Sequence, residues 1–267
     1  MSGKLRITFI RTSSLLLEYE GYTALTDPWF QMNMRGLPVF RRPGIELGDL
    51  PKIDGIIASH LHRDHFERAA VQAMIHPDLE VAGTIGTAEY CAKMDVPAIH
   101  EMAPWDTCEM GPLKLTATPA EHTGPLPPEV NFIIQCGQWT VFFGGDARWS
   151  DAYKQIGDRF PNIDVAILPI GGTLIFGKRT TMNPTDAVRA CNYLRPRWVI
   201  PIHEGGEWLP VPPASWHPGR NKHFVKALES SQLPSDAVVL APGERATFTQ
   251  QSAPDRDRWT SALSHTP

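Results

Sequence analysis

Three histidines and an aspartate fall within six residues, as His60-x-His62-x-Asp64-His65, directly after the apolar run Gly55-Ile56-Ile57-Ala58. Such a segment is not ordinary core, because burying these polar side chains without partners would cost several kcal/mol. A solvated histidine-rich loop is the plain alternative. Neutral imidazole and carboxylate are natural ligands of zinc and similar divalent ions, so a metal site explains both the residue types and their crowding.

This loop cannot close a metal site alone, and three further residues supply what it lacks. His122 follows the apolar stretch Leu113 to Thr118, Asp146 follows Thr140-Val141-Phe142-Phe143 across Gly144-Gly145, and His203 follows Trp198-Val199-Ile200-Pro201-Ile202. Each stands just beyond an apolar run and near glycines, where sheet proteins build sites on loops held by a rigid scaffold. Taken singly, a histidine after a strand is usually a surface or satisfied core residue, and an aspartate after two glycines is a turn former. As a set with the first motif they complete a ligand sphere. His76, His100, His217, His223 and His265 lack this context, and we place them outside the site; His217 and His223 are read as surface residues.

The elements that must position these residues follow from periodicity and punctuation. Strands are expected at 4–10, 14–20, 22–26, 53–58, 81–84, 113–118, 130–135, 139–143, 164–168 and 198–202. Helices are expected at 66–76, 86–93, 151–158, 184–194 and 219–230. The helix at 184 should begin with Asn183 as its N-cap and Pro184 in its first turn. Residues 29–51 and 208–218, rich in Pro, Arg and Trp, read as long loops. Hairpin-like strand pairs in the first half and strand–helix alternation in the second predict an α+β chain. Its core is two sheets with helices on the outer faces. Residues 1–250 form one domain, and 251–267 form a polar tail.

Composition narrows the function classes. The formal net charge is −4 and no Lys/Arg block occurs, so nucleic acid is not expected as a partner. Cys91, Cys108, Cys136 and Cys191 show no paired spacing and read as free thiols of a cytoplasmic protein. The opening residues lack a signal-peptide stretch, and no run reaches membrane-spanning length. The expected partner is a small-molecule substrate, and the composition is compatible with a homo-oligomer.

The ordered ligand set His60, His62, Asp64, His65, His122, Asp146, His203 resembles the metallo-β-lactamase fold superfamily over roughly residues 4 to 248. Further features resemble the branch that contains L-ascorbate-6-phosphate lactonase and N-acyl-phosphatidylethanolamine-hydrolysing phospholipase D. They are Thr26-Asp27-Pro28, Asp49-Leu50-Pro51 before Ile53-Asp54, and Met182-Asn183-Pro184 before Pro201-Ile202-His203. The chain departs from that branch at Arg11-Thr12-Ser13, where Gly-His and a small residue are usual, and at Ala147-Arg148 after Asp146. It departs again at Arg63, where an aromatic is frequent.

The resemblance implies an αββα four-layer sandwich with two central mixed sheets. It implies one metal on His60, His62 and His122, a second on Asp64, His65 and His203, and Asp146 bridging them. Zinc is the favoured ion, with manganese or iron as alternatives. It further implies a hydrolase whose metal-bridging hydroxide attacks a lactone, amide or phosphodiester bond, with Asp64 and Asp146 as catalytic carboxylates.

Asp27, at the end of a neighbouring strand, is a candidate acceptor for a ligand histidine N–H; otherwise it caps an Asp-Pro turn. Arg148, Lys178 and Arg179 are candidate substrate contacts, together with Trp29 and Trp208 in the long loops. The loop cations Arg35, Arg41 and Arg42 add to the expectation of a small anionic substrate. A phosphodiesterase or nuclease is the alternative function. A diiron redox protein is a weaker one, because flavo-diiron relatives place a Glu where His62 stands.

Overall fold

Alternate residues of a strand point to opposite faces, and in these strands both faces are apolar, so each sheet must be covered on two sides. Leu15, Leu17 and Tyr19 enter a layer between the sheets, while Leu16 enters a second layer with Phe66, Ala70 and Val71. In the other sheet Val141, Phe143, Val165 and Ile167 face the shared layer, and Phe142, Ala166 and Leu168 face a third. The computed structural model, which describes residues 3–34, 36–122, 128–207, 209–212 and 214–249, is accordingly a four-layer α/β/β/α sandwich.

One seven-stranded sheet runs, in spatial order, Arg245–Phe248, Leu5–Arg11, Ser14–Tyr19, Tyr22–Thr26, Gly55–Ala58, Glu80–Thr84 and Ala98–Met102. Its first four strands pair antiparallel and its last four parallel. The second runs Asp236–Ala237, Trp198–Ile202, Val165–Pro169, Trp139–Phe143, Val130–Cys136, Leu113–Pro119 and Thr107–Met110. Here the first four are parallel and the last four antiparallel. Helices Arg68–Met74 and Thr87–Cys91 cover the first sheet. Helices Ala152–Arg159, Pro184–Leu194 and Asn221–Ser231 cover the second.

The helix at Pro184 starts as its residues dictate. Asn183 Oδ1 accepts from Asp186 N–H at 2.8 Å, and Asp186 accepts from Asn183 N–H at 3.2 Å, a reciprocal cap with Pro184 following.

Three of the four main-sheet strands absent from the expectation, Thr107–Met110, Asp236–Ala237 and Arg245–Phe248, lie at sheet edges, and so does the fourth, Ala98–Met102. These edge strands are only 2 to 5 residues long and mostly half-buried or exposed, which leaves little apolar pattern to read. The loop 29–51 contains a small hairpin, Asn33–Met34 with Leu37–Pro38, and a 3₁₀ turn, Leu47–Asp49. Lys178 and Arg179 lie in a small third sheet: Lys178–Arg179 pairs with Leu174–Ile175, which pairs in turn with Ser215–Trp216. Arg35, Trp208 and the 251–267 tail lie outside the described residues.

Candidate metal centre

The site residues converge because the strands that carry them end at one edge of the two sheets. Gly55–Ala58 delivers Ser59 to His65, Trp139–Phe143 delivers Asp146, and Trp198–Ile202 delivers His203, each past the carboxyl end of a strand with a parallel neighbour. Leu113–Pro119 delivers His122. Gly145 is required by the space available. It has φ +47°, and a Cβ there would meet Glu129 Oε1 at 2.5 Å and the Ser59 Cβ at 2.6 Å. Asp27 and His203 hold positive φ values of 36° and 52° without being glycine, strain of a kind that concentrates at functional sites.

Two groups of donor atoms result. His60 Nε2 lies 2.9 Å from His62 Nδ1, which lies 3.3 Å from His122 Nε2. The tetrahedral edge for ligands near 2.05 Å is about 3.3 Å, so this triad has the spacing of a zinc-type site. In the second group Asp64 Oδ2 lies 3.8 Å from His65 Nε2 and 3.9 Å from His203 Nε2. Asp146 stands between the groups. Its Oδ2 is 3.8 Å from His122 Nε2 and 3.8 Å from His65 Nε2, and its Oδ1 is 3.4 Å from His203 Nε2.

Hydrogen-bond logic fixes the tautomers of three of these rings. A carbonyl can only accept, so His122 Nδ1–H must donate to Thr180 O at 3.0 Å, leaving Nε2 as a lone-pair donor toward the cluster. His65 Nδ1–H donates to the Asp27 carboxylate at 2.7 Å. Ser59 Oγ–H is committed to Asp27 at 2.7 Å, so the 3.0 Å contact to His60 is a donation from His60 Nδ1–H to Ser59. All three rings therefore present Nε2 to the cluster, as metal ligands must. Asp27, fully buried, also accepts from Ser59 N–H at 2.7 Å.

The electrostatics call for a cation. Asp27, Asp64, Glu129 and Asp146 crowd one small volume; Asp27, Glu129 and Asp146 are buried and Asp64 is partly exposed. Burial, then Glu129 and Asp64, push Asp146 well above the usual carboxylate range. Burial lowers His60 well below its ordinary value, His122 to about 4 and His203 to about 3, so these rings are neutral at physiological pH, the form that can ligate a metal. Burial opposes charge on His65 too, but Asp27, Asp64 and Asp146 outweigh it and raise the ring to about 10. That ring's surroundings demand positive charge at Nε2, which has no hydrogen-bond partner. Asp146 Oδ1 is likewise buried without one. The donor set fits divalent metal.

One residue of the site was not foreseen. Glu129, buried just before the strand Val130–Cys136, accepts from Asp146 N–H at 2.6 Å, and its carboxylate lies 3.8 Å from His60 Nδ1 and 3.5 Å from His122 Nδ1. It fixes the backbone that presents Asp146. Glu129→Gln should therefore weaken metal affinity by roughly 10–100-fold. Competition with a chromophoric chelator measures this, and unchanged affinity would reduce Glu129 to packing.

The expected substrate contacts fare differently. Trp29 is buried, with the Arg11 guanidinium 3.8 Å above its ring and Val39 against it, so it offers no face to a ligand. Arg148 pairs with Glu121 at 3.1 Å. Arg41 pairs with Glu204 at 2.9 Å. Lys178 and Arg179 remain exposed, Arg179 reaching Gly172 O at 3.3 Å. His217, expected at the surface, is buried against Thr173 Oγ1 at 3.1 Å.

A profile of the Beta-lactamase superfamily domain matches residues 22–203. The UPF0173 metal-dependent hydrolase of Desulforamulus reducens is 31% identical over 251 residues, covering 90% of this chain and 98% of the relative. Among solved structures, Igni18, a metallo hydrolase from Ignicoccus hospitalis, superposes with a TM-score of 0.73 at 23% identity over 93% of this chain and 100% of its own. CmlA, a diiron β-hydroxylase from Streptomyces venezuelae, superposes at 0.68 with 17% identity, over 92% of this chain and 54% of its own. These two likenesses are of fold alone. By profile and by sequence identity, the chain belongs to the β-lactamase superfamily, in its UPF0173 metal-dependent hydrolase family.

Proposed function

We propose that this chain binds two divalent ions and hydrolyses a lactone, amide or phosphodiester bond of a small molecule. His60, His62 and His122 hold one ion, and Asp64, His65 and His203 the other. The observation that carries the reading is the position of Asp146, whose Oδ2 is 3.8 Å from a donor nitrogen of each group. Zinc suits an imidazole-rich set, and manganese or iron are accommodated by the same ligand types. When bound, such a pair supplies Lewis acidity and lowers the pKa of water toward neutrality.

The chain's own residues do the rest. Asp27, Ser59 and Thr180 lock three rings with Nε2 inward. Burial disfavours the Asp64 charge, but His65, His203 and His62 outweigh it and keep its pKa below the usual range. It is also the more open of the two site carboxylates, with a side-chain exposure of 17% against 9% for Asp146. The Asp64 carboxylate thus stays ionised, as a metal ligand must, and is open enough to contact an attacking water. The four cysteines are free thiols, which supports a reducing, cytoplasmic setting. No helix among the described residues is long and apolar enough to cross a membrane.

The stoichiometry tests the reading. Protein purified without chelator should approach two metal equivalents per chain, and His203→Ala should approach one. Saturation at one equivalent, unchanged in His203→Ala, would exclude a dinuclear centre. Hydrolysis is then scored across lactones, amides and phosphodiesters.

A further inference from the structure

Single exposed apolar residues need no explanation, but their concentration does. Among the described residues, seven of the eight exposed large apolar side chains fall in three short segments, and only Ile85 lies elsewhere. The segments hold Met32 and Phe40, Ile175 and Phe176, and the trio Leu209, Val211 and Trp216. Phe176 is 76% exposed, Phe40 60% and Trp216 48%.

The three segments are stitched together. Ile175 pairs with Ser215 and Leu174 with Trp216, and Phe176 N–H donates to Ala214 O at 3.1 Å. Leu209 N–H donates to Pro38 O at 3.3 Å, and Phe40 N–H to Glu207 O at 2.7 Å.

Both sides of this apolar rim are rooted in the metal centre. The hairpin that carries Phe176 closes at its base through Thr180 N–H to Thr173 O at 2.8 Å, and Thr180 O is the acceptor of His122 Nδ1–H. At about 3.3 Å per strand residue, Phe176 stands within ~10 Å of that base. On the other side Glu207, bonded to Phe40 N–H through its carbonyl, holds Thr12 through its carboxylate, and Thr12 O accepts His203 N–H at 2.9 Å. One wall is therefore tied to a ligand of the first group, the other to a ligand of the second.

Of the cations expected to draw an anion to this rim, Arg41 is engaged by Glu204 and Arg148 by Glu121, while Lys178 and Arg179 stand exposed on the hairpin of Phe176, where they would meet a charged head and not its apolar arm. The geometry points to a substrate with an apolar arm, an acyl or aryl chain that lies along Phe176 and Trp216 on one side and Phe40 and Leu209 on the other. The bond to be cleaved then sits at the histidine–aspartate cluster. A second protein copy or a lipid surface would need no such connection to the two ligand groups, so the occupant is the substrate itself. This inference rests on the hydrolase reading and deepens it.

The test separates the two. Straight-chain carboxylates from butanoate to decanoate are titrated calorimetrically into the zinc-loaded full chain, with no turnover required. Affinity should rise about three- to fourfold per added methylene, as for burial of each CH₂ in an apolar groove. The double variant Phe176→Ser/Trp216→Ser, with unchanged metal content, should flatten that dependence. A flat series in the wild type, or an equal slope in the variant, overturns the inference. So does light scattering that shows a dimer dissolved by the variant, or sedimentation with phosphatidylcholine–phosphatidylglycerol vesicles that the variant abolishes. A steep series without hydrolysis of any ester, lactone, amide or phosphodiester would leave the rim standing and sink the hydrolase reading. Hydrolysis with a flat series would do the reverse.

Discussion

Replacing Asp146 with Ala should lower turnover by several orders of magnitude and leave the fold standing. The carboxylate lies between the two donor groups, 3.4 Å from His203 Nε2 and 3.8 Å from both His122 Nε2 and His65 Nε2. In the proposed dinuclear centre, its loss would remove a ligand from each group and the negative charge that holds two cations close. Loss of an outer hydrogen-bond partner alone costs roughly 10–100-fold in such centres, and loss of a shared ligand must exceed that. The fold survives because the three apolar layers do not depend on this residue. Steady-state rates, metal content and thermal melting of the purified variant measure all three effects. Near-normal turnover with two metals retained would make Asp146 a turn residue only.

That these candidate ligand residues would come together was legible for a physical reason. Each is a polar residue where an apolar strand stops, and the strand must stop there because a metal ligand cannot be buried among Ile and Phe. Glu129 was not legible. It follows a Pro-rich stretch, Pro125-Leu126-Pro127-Pro128, and reads like a surface loop residue, while its meaning lies in a contact with Asp146 N–H, 17 residues away. An acid immediately before the apolar run Val130–Ile134 was the only signal available. Arg11 was noticed only as a departure from the relatives' pattern. In the fold it is wholly buried and donates to Trp29 O at 3.1 Å and Gln31 O at 3.0 Å, so it shapes the loop that Trp29 anchors. His217 was placed at the surface because its neighbours are Pro and Trp, but its burial depends on Thr173, 44 residues distant. Local pattern reports strand ends well and long-range partners poorly.

Fold likeness does not choose the chemistry. A metallo hydrolase and a diiron hydroxylase both superpose on this chain, with TM-scores of 0.73 and 0.68. Function has to be argued from the site. Here the donor set is five imidazoles and two carboxylates, with three ring tautomers fixed by groups that can only accept or are already committed as donors. That is a donor set suited to holding divalent metal, and family membership ties such metal to hydrolysis.

Asp27 gives the sharpest test of that scaffold, because two substitutions there should separate metal binding from stability. The buried carboxylate accepts three hydrogen bonds of 2.7 Å, from Ser59 N–H, Ser59 Oγ–H and His65 Nδ1–H. Asp27→Ala strands all of these donors and breaks a buried pair, a change that costs about 3–5 kcal/mol in comparable cases. It should lower the melting temperature and the affinity of the His65 site together. Asp27→Asn keeps the shape but turns one oxygen into a donor. The backbone N–H of Ser59 cannot adapt, so the amide oxygen must face it and the amide NH₂ must face both His65 and the Ser59 hydroxyl, which can rotate to accept. The ring then answers by moving its proton from Nδ1 to Nε2, the atom that would bind metal. The Asn variant should therefore melt close to the parent while binding one metal equivalent fewer. Two equivalents retained in Asp27→Asn would show that His65 Nε2 is not a ligand.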